Sequence, residues 1–411
     1  MSSKLKILAI CSIDLGVSAG LTPMFWELFM RLAELGTEVI IIPTTGRTVA
    51  SPWWRIYQSP ISNVSFHKMI SSVYDKLSRQ YAAKLQHEVA LNDAAYGSIR
   101  IYPLLSVVKR IKDKYFSFSY KQHWMKFLEN VWKREKSIDA VFLFDDILNF
   151  MTWLPKYVHN YHGVPIVGYN ADVATYLWNE KSWRYSPLYN VDLHEYDSFI
   201  VNSEGVVHKL REIGPSDVRI LHFGADPYLF SPLQIRKDID VSFYGYGSTL
   251  REEAMLSMIT RPSNLLGEVA FRTAGSFKLD LGLSKNLGPL SFVSMRRFCC
   301  RSKINLNITR KTFAETYCSS TSRPFELAAM QSCIVSNVCK GMNKWFEPGK
   351  EILEVKGEQE AIEVYKWLLS HDDMREKMGE NARKKLRQKH TYKHRAVEFL
   401  EIVQDICSRK S

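Results

Sequence analysis

Residues 4–43 set the tightest limit on what this chain can fold into. KLKILAICSI is a buried-strand run and DLGVSAGLTP a loop carrying Gly16 and Gly20. MFWELFMRLAELG has apolar residues at helical three-to-four spacing and stops at Gly36, and TEVIIIP is a second strand run. Strand, glycine loop, helix, strand is a βαβ unit, and it predicts a doubly wound parallel sheet. The rhythm returns in DAVFLFDD, VPIVGYNAD, YDSFIVNS and the helix EGVVHKLREIG, and VRILHFGAD closes the half.

A second start follows. FGADPYLFSPLQIRKD has two prolines and no periodicity, which predicts a linker with a boundary near residue 230. DIDVSFYGYG then reads as a strand running into Gly245 and Gly247, TLREEAMLSMI as a helix and VAFRTAG as a strand. SFVSMRRFCCRS reads as a helix, INLNITR as a strand, RPFELAAMQ as a helix and CIVSNV as a strand. The expected fold is therefore α/β, with two Rossmann-like parallel-sheet domains facing a cleft at the carboxyl ends of their strands. The expected units are 1–230, 231–392 and a last helix, 393–411, packing back on the first unit.

Between these halves of clear rhythm, 50–136 reads as a basic, aromatic helical insertion. Residues 53–136 hold 15 Lys and Arg against 6 Asp and Glu, within a chain of net charge +12. Two readings stand: a solvated insertion whose aromatics pack on the parent domain, or a surface for anionic lipid headgroups or an anionic acceptor. No nucleic-acid motif accompanies the charge, so nucleic acid is not expected as a partner. No run of 18 apolar residues occurs, and the apolar stretch from Ile7 to Cys11 is too short for a signal peptide. Seven scattered cysteines, an odd number without CxxC spacing, indicate free thiols in a reducing, cytoplasmic setting, with peripheral membrane contact left open by 53–136.

Four motifs carry candidate chemistry. In SSTSRPFELAAM, Thr321 or Ser322 is a fair N-cap and Pro324 fits a first turn. Glu326 then lies near the positive helix end, either compensating the dipole or presenting two acceptor oxygens to a ribose diol. Arg323 either reaches a phosphate or lies on the surface. The glycine loop at Gly245 and Gly247, with Arg251 behind it, exposes backbone N–H groups that can cradle phosphate. In the first half, Asp14 sits beside Gly16 and Gly20 as an acceptor-side loop, and Asp172 ends YNAD; each is a turn or cap residue, or a catalytic base. Asp145 and Asp146 lack further acids or histidines at ligand spacing, so no metal is expected. His162, His194, His208 and His222 are unclustered.

The second half resembles the GT-B glycosyltransferases, in particular the branch related to the spore maturation protein CgeB within the broad "glycosyl transferases group 1" kind. The resemblance covers about residues 200–405 and rests on RPFE, HTYKHRA, DVSFYGYGSTLRE, WFEPGKEILEV and the linker HFGADPYLF. It implies hexosyl-type transfer from a nucleotide-diphosphate sugar, a co-substrate in place of any cofactor, to an acceptor the sequence does not name. It implies that Glu326 binds the donor ribose, and that Arg323 and 320–322 lie near the diphosphate. Arg251 and Gly245 to Gly247 would flank the phosphates, and Arg310 or Lys311 would add positive charge without an obligatory metal. Retaining relatives carry a second Glu eight residues before the position of Glu326, and here it is Cys318, with Glu315 out of register. Gln331 and Ser332 stand where a glycine is usual. An inverting enzyme would need a base from the first half, Asp14 or Asp172. The alternatives from other classes are a catalytically silent module of the same fold and, on the charge of 53–136 alone, a nucleic-acid-binding or nucleic-acid-modifying protein.

Overall fold

Alternate residues of the first strand face opposite ways: Ile7, Ala9 and Cys11 enter one apolar core, Leu8 and Ile10 another. Both faces of the sheet are thus covered, which explains why parallel strands read as unbroken apolar runs rather than as an alternation. The computed structural model describes residues 4–11, 24–43, 51–60, 121–144 and 147–410. The first sheet holds seven parallel strands: β1 (Lys6–Cys11), β2 (Glu38–Pro43), β3 (Trp54–Ile56), β4 (Ala140–Phe144), β5 (Ile166–Asn170), β6 (Ser198–Val201) and β7 (Val218–Ile220). Their order is β3-β2-β1-β4-β5-β6-β7, so the chain reverses direction of build between β1 and β4. Helix α1 (Met24–Glu34) joins β1 to β2 and ends in a left-handed Gly36.

The second sheet repeats the plan with β8 (Ile239–Tyr246), β9 (Phe271–Ser276), β10 (Lys285–Asn286), β11 (Ser302–Asn307), β12 (Cys333–Asn337) and β13 (Leu353–Val355). Its order is β10-β9-β8-β11-β12-β13, again with every pair parallel and with the reversal between β8 and β11. The carboxyl ends at such a reversal are where open α/β sheets hold ligands.

Two sequence expectations change. Residues 50–136 do not open with helix: β3 lies there, paired with β2. Trp54 is buried and meets Trp26 edge-on at 5.0 Å, while Arg55 faces outward to Glu38 at 2.7 Å and Glu135 at 2.8 Å. A helix follows over 121–135, with Trp124 fully buried and Trp132 stacked on His162 at 3.8 Å. Among the described residues of this segment, these aromatics pack on the parent sheet; residues 61–120 lie outside the described residues. The helix expected at TLREEAMLSMI is also interrupted, by a π turn over Leu256–Thr260. Pro262 has no N–H for the carbonyl of Met258, and the Tyr365 hydroxyl donates to that carbonyl instead at 2.9 Å.

The C-terminal helix α2 (Tyr392–Ser408) returns to the first sheet, where Tyr392, Phe399 and Val403 join the core of α1. The HTYKHRA motif builds this crossover. Thr391 caps α2 and His394 completes a capping box. Gly224 passes so close that a Cβ there would stand 2.7 Å from the His390 carbonyl oxygen. Arg395 donates to the Phe223 carbonyl at 2.9 Å, to Glu398 at 2.6 Å and to His390 Nδ1 at 2.9 Å. Arg395→Ala should therefore lower stability by about 2 kcal/mol, read as a shift of the urea midpoint, because it strands a buried carbonyl and an imidazole.

A candidate active site at the carboxyl ends of the second sheet

The strands β8, β9 and β11 end around one pocket. Its lining includes Gly245 and Tyr246 from β8, Gly275 from β9, Asn307 at the end of β11 with Ile308 and Thr309 after it, and Thr321, Ser322 and Arg323. The last three open the helix Ser322–Ala329, whose cap residue Thr321 is extended and makes no side-chain cap hydrogen bond. The first-turn N–H groups of such a helix and its positive dipole end favour an anion. Gly245 and Gly275 are register partners, and a Cβ on Gly275 would fall inside the carbonyl oxygen of Gly245.

Two arginines frame the pocket. Arg251 donates through Nε to the Ile308 carbonyl at 3.0 Å and through Nη1 to the Tyr246 carbonyl at 3.0 Å, tying the ends of β11 and β8 together. Burial, then the positive charges of Arg310 and Arg323, push its guanidinium down to about 10. Such crowding of like charge is relieved by an anion. Arg323 lies over the Tyr244 ring, 3.0 Å from its centroid, and donates to the Tyr244 carbonyl. Its Nε is buried without a hydrogen-bond partner among the described residues and stands 3.9 Å from Glu326 Oε2.

Glu326 sits behind this wall, buried, with Oε2 accepting from the Tyr244 hydroxyl. It faces a set of groups that sequence reading missed. Glu27 of α1 is 2% exposed and accepts from the Asp226 N–H at 2.8 Å. Burial first, then the charges of Glu326 and Asp226, hold its carboxyl well above the ordinary range, with Arg31 opposing. Asp226 pairs with Arg31 and accepts from the N–H groups of Tyr228 and Leu229 at 2.8 and 3.1 Å. The seam between the two sheets is thus acidic and buried directly behind the pocket.

The other sequence candidates separate. Asp172 precedes the short helix Val173–Tyr176 but makes no cap bond; its carboxylate reaches Arg310 of the second unit. Beside that pair, Thr175 and Thr312 hydroxyls are 3.0 Å apart. Gly247 lies outside the pocket lining and donates to the Ser276 carbonyl at 2.9 Å. Asp14, Gly16, Gly20, Asp145 and Asp146 lie outside the described residues. Cys318 is buried and left-handed at φ 46°, with its N–H on the Lys340 carbonyl at 2.9 Å and its carbonyl accepting from Glu204 at 3.3 Å. It belongs to the seam, not to the pocket. Glu315 pairs with Lys311 at 3.8 Å. His222 also lies in the seam, its Nδ1 3.2 Å from the Asn202 carbonyl and 3.3 Å from Ser320 Oγ; burial and Arg395 push it down to about 4. Among the described residues, no three His, Cys, Asp or Glu gather as a metal site.

Residues 251–401 match the sequence family described as glycosyl transferase-like. No curated protein sequence matches the chain. Among solved structures, sucrose-phosphate synthase from Thermosynechococcus elongatus aligns with a TM-score of 0.61 at 12% identity, over 98% of this chain and 100% of that one. Anabaena HepE in complex with UDP-glucose gives 0.58 at 10%, over 98% and 100%. T4 phage BGT in complex with its UDP-glucose substrate gives 0.57 at 11%, over 98% and 99%.

Proposed function

We propose that this chain, a GT-B fold whose residues 251–401 carry the glycosyl transferase-like family match, transfers a hexosyl group from a nucleotide-diphosphate sugar to an acceptor. The observation that carries the reading is the pocket itself. Arg251, Arg323 and the opening turn of the Ser322–Ala329 helix converge on one space at the strand reversal of the second sheet, inside the matched segment. The aligned HepE and BGT structures were solved with UDP-glucose, which makes UDP-sugars the first donors to try.

In this mechanism the diphosphate lies against Arg251, Arg323 and the backbone of 321–323, with Arg310 adding charge and Gly245 allowing close approach. The acceptor oxygen attacks the anomeric carbon, the bond from that carbon to the phosphate oxygen breaks, and charge grows on the leaving diphosphate. Fixed guanidinium groups and helix N–H dipoles stabilise that charge most where it develops, which lowers the barrier. The same cationic set performs this without assigning the task to a metal. Glu326 holds Tyr244 and Arg323 from behind, so it acts on the donor through the placement of those two side chains. The acceptor proton passes to a carboxylate of the first unit, Asp172 or Asp14, which gives an inverting outcome, in keeping with Cys318 lying in the seam. The free thiols and the basic segment 53–136 favour a cytoplasmic enzyme at an anionic membrane surface.

Release of nucleoside diphosphate from a panel of nucleotide sugars, with and without simple glycan and lipid acceptors, tests the reading. Arg251→Met is expected to lower kcat/KM by about 100-fold. Nucleotide binding without release from any donor would favour the silent module.

A further inference from the structure

The geometry points to competition for Arg310: Asp172 occupies the guanidinium that the donor's phosphate needs, so donor binding releases the Asp172 carboxylate into the cleft. This deepens the proposed function and rests on the donor reading above. Arg310 directly follows Ile308 and Thr309, two residues of the pocket wall, so its backbone is fixed at the pocket rim. Its side chain lies over the Phe313 ring, 4.5 Å from the centroid, and reaches Asp172 across the seam. The two groups are part-exposed, at 28% and 43% of their side-chain surface, so the ion pair is exchangeable rather than locked. Among the described residues, no side chain other than Arg310 is bonded to the Asp172 carboxylate. Its carboxylate does not cap the helix it precedes, and its own N–H is held by Asn170 Oδ1 at 2.8 Å. The electrostatics of Arg251 register both partners, Arg310 as a like charge and Asp172 as a balancing one. A diphosphate placed between Arg251 and Arg323 would supply the balancing charge that Asp172 now gives, and would draw Arg310 inward. The consequence is an order of events: the donor enters first, and only then does a free carboxylate stand at the carboxyl end of β5 to meet an acceptor hydroxyl.

Calorimetric titration of UDP into wild type, Asp172→Asn, Arg310→Gln and the double variant tests this. Asp172→Asn is expected to bind UDP about three- to tenfold tighter, the scale of losing one part-exposed ionic competitor. Arg310→Gln is expected to bind more weakly, and the double variant to match Arg310→Gln, because competition acts only through Arg310. A gain in Asp172→Asn that persists without Arg310 is general charge relief and overturns the proposal, as does no gain at all while UDP still binds. If no variant binds UDP, the same cycle is run with inorganic pyrophosphate. An Arg310-dependent gain there keeps the competition and removes UDP as the donor nucleotide, and its absence removes the competition.

Discussion

Gly275→Ala should cost about 4 kcal/mol or more and close the pocket, the result expected when a new Cβ is driven into backbone rather than into a flexible side chain. The obstructing atom is the carbonyl oxygen of Gly245, its register partner across β8 and β9. β8 cannot retreat, because it is also bonded to β11 and Arg251 ties the ends of those two strands together. The backbone at Gly275 adds strain for any L-residue, with φ at 146°. Gly288→Ala is the control. It also has positive φ, at 75°, but nothing lies within 4 Å of its Cβ, so only about 1 kcal/mol of backbone strain is expected. Urea midpoints of the two variants read the difference. Equal losses would mean that the β8–β9 approach does not hold the pocket floor.

Acid is expected to open the seam before it titrates ordinary carboxylates. His222 is pushed down to about 4 and His390 to about 3, in both cases by burial first and then by Arg395. The unfolded imidazoles take up protons near pH 6.5 while the folded ones do not. Stability is therefore complete above about pH 6.5 and falls as pH drops, by up to about 1.4 kcal/mol per pH unit for each histidine. Between pH 6.5 and 5 the two together reach up to about 4 kcal/mol. The carboxylates held low by ion pairs, such as Asp197 and Asp217, contribute in the same direction only at lower pH. Glu27 acts oppositely: its folded carboxyl keeps a proton that the unfolded one loses, so its contribution is greatest in acid and is lost as pH rises. Urea titrations at pH 7, 6 and 5 should show the fall, with a shallower slope in His390→Gln. A flat profile, or an unchanged slope in the variant, would contradict a neutral buried His390.

The βα rhythm was legible because parallel strands covered on both faces leave unbroken apolar runs, as KILAIC and EVIIIP do. So were the glycine at the end of β8 and the opening of the RPFE helix, since turn chemistry and capping are local. The short edge strand β3 was not, because Trp53 and Trp54 carry no alternation long enough to separate three residues of strand from the basic helix pattern around them. Glu27 was hidden for a different reason. It lies with Arg31 and Glu34 on the polar side of α1, where helical periodicity predicts solvent, yet it is buried against Asp226 of the linker with Glu326 near by. HTYKHRA counted only toward the family resemblance, and its residues cap and anchor the crossover. The pairing of Asp172 with Arg310, 138 residues apart in the chain, depends on how two sheets meet, which no local pattern encodes.

The most direct test of the central claim is calorimetry of UDP, GDP, TDP, ADP and CMP with their common sugars against wild type and Glu326→Ala. One nucleotide should bind wild type and lose about 1–3 kcal/mol of affinity in the variant, through the released Arg323 and Tyr244. Equal affinity of both proteins for that nucleotide, or binding of none by wild type, would contradict a donor site at the mouth of the RPFE helix.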